Sequence, residues 1–187
     1  MRSGTPVDRG LLPYLLILSV IFSAGFFLGM AAPSPLRQQA TEAFQDVVSQ
    51  YQDLAGGTLF FFILLHNVMA SILLLFSGLL LGIIPVMSVV LNGFFLGVLY
   101  RQAAGVAGYA KAALKVAPHG IFEIPALLIT ASYALWIGMA VLLRIRGKQV
   151  DPVRGRVEHA FRRYFFVVFP LLVIAATIET ALILWFP

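Results

Sequence analysis

The sequence has no cysteine, which excludes a disulfide framework, a thiolate metal site and a cysteine nucleophile. Charge is nearly as scarce. Asp, Glu, Lys and Arg make up 11% of the chain, against roughly 25% in a soluble domain. Acidic residues are the rarer sign, eight against thirteen basic ones. What fills the space is apolar: 60% of the residues are hydrophobic and the mean hydropathy is +0.95. This balance excludes a soluble enzyme domain, a disordered tail and a coiled coil, and leaves a polytopic membrane protein. The 187 residues suffice for five or six spans with short loops. They leave no room for a separate soluble catalytic domain, so no enzyme is expected.

A helix needs about 20 apolar residues to cross a bilayer. The first candidate covers 11–32. Its run is too long for the apolar core of a signal peptide, roughly 7–15 residues, so a retained span is expected. Between Asp53 and Arg101 lie 47 residues without a charge, the length of two spans. Gly82-Ile83-Ile84-Pro85 supplies the break, because proline lacks the amide donor and glycine relaxes the turn. The spans are therefore placed at 58–81 and 85–100, followed by 118–143 and 164–186. The fold class is an all-α polytopic bundle of five spans in a single domain.

Orientation follows Lys and Arg. Segment 144–163 carries seven basic residues and the N-terminal tail carries Arg2 and Arg9. Placing both in the cytoplasm sets the N-terminus inside and the C-terminus outside, in the cell inner membrane. The basic segment reads as a loop touching anionic headgroups, and His159 within it as solvated. The partner that the net charge of +5 implies is the lipid bilayer, and no nucleic acid is expected. Residues 38–55 place Ala40, Phe44, Val47, Val48, Tyr51 and Leu54 at helical spacing. They predict an amphipathic surface helix between spans one and two, either a connector on headgroups or a lid over a pocket. Residues 101–117, with Lys111 and Lys115, read as a short basic connector.

Three small-xxx-small pairs, Gly25/Gly29, Gly78/Gly82 and Gly93/Gly97, allow helices to approach closely. They fit packing within the chain or a subunit interface. The pentapeptide Gly-Phe-Phe-Leu-Gly occurs at 25–29 and again at 93–97. Its flanking residues align poorly, so the repeat reads as coincidence.

Ionisable side chains inside spans are costly, which makes each a functional-site hypothesis. His66, His119, Glu123 and Glu179 fall within or at the edge of the spans, with amides at Asn67 and Asn92. Counting about 1.5 Å per residue puts His66, Glu123 and Glu179 at one level in the outer half of the bilayer. A single polar cluster of His119, Glu123, Asn67, His66, Asn92 and Glu179 is expected. His119 and Glu123 share a helical face. Pro118 fits a helix's first turn, Gly120 leaves room for close backbone approach, and Pro125 frees the Ile121 carbonyl and kinks the span. Such a cluster could pin the bundle, line a proton or solute pathway, or hold a metal. Two His and two Glu suffice for zinc in principle, but His-Glu-x-x-His and Gly-x-Ser-x-Gly are both missing, so no metal or other cofactor is assigned.

The stretch Pro118-His119-Gly120-Ile121-Phe122-Glu123-Ile124-Pro125-Ala126 resembles the signature of the stage II sporulation protein M family of integral membrane proteins. Asn92-Gly93 resembles a second element of that family's pattern. His66-Asn67 stands where the family has Asn-Asn, so position 66 departs from it. The motifs cover 58–140. The resemblance implies a membrane anchor or scaffold with envelope protein partners. The leading expectation is thus a membrane scaffold or complex subunit. The alternatives are a small channel or transporter-like component using the cluster as a proton or ion relay, and then a membrane metalloenzyme. A homodimer is the default assembly.

Overall fold

The computed structural model describes residues 6–49, 54 and 56–185. Tyr51 of the surface-helix reading lies outside them. Nothing is described of the side chains of 6–9, 44, 47, 48, 115–119 and 185. All the elements described are helices: α1 Pro6–Ala31, α2 Ser34–Ser49, α3 Gly56–Ser77, α4 Ile83–Ala107, α5 Tyr109–Pro118, a π-turn His119–Glu123, α6 Ile124–Ile145, α7 Val153–Arg163, a second π-turn Tyr164–Val168, and α8 Phe169–Trp185. Five helical stretches among them are long and apolar enough to cross a membrane.

The helix ends differ from the expected ones where local chemistry overrides hydropathy. α3 stops at Ser77 because the chain turns over 78–82, with Leu81 and Gly82 both at positive φ (60° and 76°). Helix α4 continues past Arg101 to Ala107, where Gly108 at φ 85° ends it. The connector 101–117 is therefore helical, and α5 leads through the π-turn into α6 without a break. Pro118 is accordingly the last residue of α5, not the start of a span.

The basic loop of the sequence reading is replaced in its second half by α7, which runs through the second π-turn into α8. Val153, Val157, Ala160 and Tyr164 recur at helical spacing, and that stripe packs against the α6 core of Tyr133, Trp136 and Ile137. At about 1.5 Å per residue, the 32 residues from Val153 to Leu184 exceed an apolar layer of about 30 Å. The basic half thus extends beyond it.

Helices α1 and α4 form the most intimate pair, and their contact is reciprocal. A Cβ on Gly25 would stand 2.6 Å from the Val90 carbonyl, and one on Gly93 would strike the Phe22 carbonyl. Likewise Gly29 abuts the Phe94 carbonyl and Gly97 abuts that of Phe26. The two copies of Gly-Phe-Phe-Leu-Gly therefore face each other on parallel helices. The repeat that reads as coincidence from its flanks is an internal crossing of the type small residues permit.

Helices α3 and α6 are also parallel. Asn67 meets Glu123, Gly78 meets Ala134 and Gly138 meets Gly82, all in one register. The stretches α1–α2–α3 and α4–α5–α6 thus repeat one plan, span, short helix, span, with like spans side by side. α8 stands outside the repeat, antiparallel to α3, with Ala176 against Leu59 and Ile63 and Tyr164 against Ser71.

Candidate functional site

Asn67 and Ser71 lie four residues apart and so share one face of α3. Each meets a residue from a π-turn. Asn67 Nδ2 donates to Glu123 Oε1 at 2.9 Å, and the Ser71 and Tyr164 hydroxyls share a hydrogen bond of 2.7 Å. Glu123 ends the first π-turn and Tyr164 begins the second. Each π-turn ends two residues before a proline, Pro125 in one case and Pro170 in the other.

A proline in a helix lacks its own donor, and its ring strikes the carbonyl four residues back. A widened turn absorbs that clash, and its extra residue shifts the helical phase by about 100°. The prolines thereby re-aim Glu123 and Tyr164 relative to the helices that follow. The result is a polar seam, two bonds one turn apart, joining α3 to both α6 and α8. Tyr164 and Ser71 are buried at 1% and 8% exposure, while Asn67 and Glu123 are half-buried.

The other residues named from the sequence are placed as follows. Asn92 is exposed and donates to the Ser88 carbonyl of its own helix at 2.8 Å, so it stands apart from the Asn67–Glu123 pair. His66 is exposed, turned from the face that Asn67 uses. Glu179 is half-buried on α8, which packs on the first π-turn. The contact of Ala176 with Leu59 and Ile63 puts Glu179 nearer the Gly56 end of α3 than Asn67 is. His119 belongs to the π-turn by its backbone, and its side chain lies outside the description. Gly120 does not serve close backbone approach: a Cβ there would meet nothing within 4 Å. Pro125 is the second residue of α6. No three His, Asp or Glu side chains gather as a metal would require among the described residues.

The seam continues through residues of the basic segment, which the sequence reading placed in a loop. His159 is not solvated. It is half-buried, with ring centroids 6.0 Å from Tyr133 and 6.1 Å from Trp136. Arg156 stacks its guanidinium 4.5 Å over the Trp136 ring and donates to the Trp136 carbonyl at 2.8 Å. Its Nη2 lies 3.8 Å from Asp151. The signal for both was the helical spacing of Val153, Val157 and Ala160, which puts Arg156 and His159 beside the buried face. Polar and aromatic groups therefore line the packing of α6 on α7 and α8, from Glu123 and Tyr164 to Arg156.

The family model described as stage II sporulation protein M matches residues 15–182. An uncharacterised protein of Methanocaldococcus jannaschii is 29% identical over 173 residues, covering 90% of this chain and 92% of that one. No solved structure matches the chain.

Proposed function

The chain belongs to the stage II sporulation protein M family, and from that premise we propose that it is a non-enzymatic scaffold or subunit of a membrane complex. It is a multi-pass membrane protein. The observation that carries the reading is where the costly polar groups go. Asn67–Glu123 ties α3 to α6, Ser71–Tyr164 ties α3 to the second π-turn, and Arg156 ties α7 to α6. Groups committed to holding helices together suit a body whose task is to keep its shape and present its ends. The basic segment and the N-terminal tail belong to the cytoplasmic face on this reading, and α2 and α5 to the outer one of the cell membrane. Partners would be a second copy or envelope proteins. The test is in-membrane cross-linking from α2 and α5 in wild type and Glu123→Gln. A scaffold keeps its cross-linked species in the variant, because glutamine still accepts from Asn67. Loss of the species in a folded Glu123→Gln chain would count against it.

The line of groups from Glu123 to Arg156 favours a second reading, a proton relay along α6. In proteoliposomes a relay gives pH-driven proton flux that Glu123→Gln abolishes. Wild-type flux equal to empty vesicles would dispose of it.

A further inference from the structure

We propose that the cavity between α2 and α4 is a binding site for a phosphate-bearing anion, held by Arg37 and Arg101. The cavity measures about 330 Å³ and is lined by Arg37, Arg101, Gln102, Gly105 and Val106. Two arginines and one glutamine line it, and no acidic residue does among the described residues. Among the described residues neither arginine is in an ion pair. The acidic Glu42 of α2 instead accepts from Gln38 at 2.9 Å. Guanidinium cannot shed its proton, so the half-buried Arg37 and the exposed Arg101 keep two like charges at one open pocket, which favours an anion from outside the chain.

Both arginines are anchored by a single nitrogen. Arg37 Nη1 donates to the Ala32 carbonyl at 3.1 Å, and Arg101 Nη1 donates to the Tyr109 hydroxyl. The remaining donors of each fork are left for a ligand. Paired forks match the oxygens of a phosphate group, which they bind bidentately.

The cavity's level narrows the source. Gly29 and Gly97 lie at the α1–α4 crossing, and Arg101 is one turn beyond Gly97. That is the level at which α1 ends at Ala31, which on the placement proposed above lies toward the outer headgroups. A phospholipid headgroup and free phosphate share the required chemistry, and the experiment separates them.

The full-length protein in neutral detergent is treated with phenylglyoxal, and modification of each arginine is followed by mass spectrometry. The additions are short-chain phosphatidylglycerol in one arm and inorganic phosphate in the other. Protection of Arg37 and Arg101 by about tenfold, the scale of a charge-assisted bond, with Arg154 unaffected, supports the site. The arm that protects names the source. A second measurement is the ligand-dependent rise in Tm, which binding to the folded state produces. The double substitution Arg37→Gln and Arg101→Gln should remove that rise, whereas Arg154→Gln should keep it. Equal modification with and without both additions overturns the proposal, even should the double variant fail to fold. So does a Tm rise that survives in a folded double variant.

Discussion

Glu123 carries a carboxyl group in an apolar span, and Asn67 donates to it across the helix interface. Interhelical hydrogen bonds in membranes average about 0.6 kcal/mol and reach about 1.7. Glu123→Gln retains the acceptor and should change unfolding free energy by less than about 0.5 kcal/mol, whereas Glu123→Ala should cost about 1 kcal/mol or more. Reversible unfolding in mixed micelles measures both. Tyr164→Phe should cost a similar amount, since it leaves buried Ser71 without its interhelical partner.

Residue by residue, the sequence exposes which positions are costly and leaves open whom they meet. Asn67 and Glu123 are legible as polar residues in apolar runs. Asn92 carries the same signal, yet an amide on a helix can satisfy itself on a carbonyl one turn back, as Asn92 does on Ser88. Ser71 and Tyr164 are ordinary residues in a span and carry no signal until their partners are known.

The elements depend on two kinds of small perturbation. The first is the proline-linked π-turn. Replacing Pro125 with alanine removes the reason for the widened turn, and Glu123 should rotate from Asn67. A double-mutant cycle between Asn67 and Glu123 should then give coupling near zero in the Pro125→Ala background and a measurable value in wild type. Persistent coupling would mean that the turn does not depend on the proline. The second is the glycine crossing. Gly29→Ala drives a methyl into the Phe94 carbonyl and should cost about 1–3 kcal/mol. Gly120→Ala meets open space and should be neutral or stabilising by up to about 1 kcal/mol. Thermal unfolding of the pair separates a packing glycine from an incidental one. Hydropathy alone could not place either perturbation, because a π-turn changes phase without changing composition. Similarly, the charges of 144–163 masked the stripe of Val153, Val157 and Ala160 that makes α7 a helix.

For the whole molecule, the span count and the helical class were legible because a long apolar run has few fates in a bilayer. The pairing of like spans was not, since lipid removes the hydrophobic signal that would mark an inner face. Sidedness is open to a direct check in a chain with no native cysteine. Lys148→Cys should react with an impermeant maleimide only from the cytoplasmic side and Gln38→Cys only from the opposite one. The reverse pattern would invert the assignment of both ends and move the two-arginine cavity to the cytoplasmic leaflet.

The twin pentapeptides also bear on how the chain is made. During synthesis α1 enters the membrane well before its mate α4 exists, and its pentapeptide can meet the same pentapeptide on another α1. Nascent chains on neighbouring ribosomes can therefore engage each other first. Once α4 arrives, tethering raises its local concentration far above that of any rival, and it displaces the stranger. A truncated product ending before residue 83 never gains that competitor and should persist as a parallel dimer.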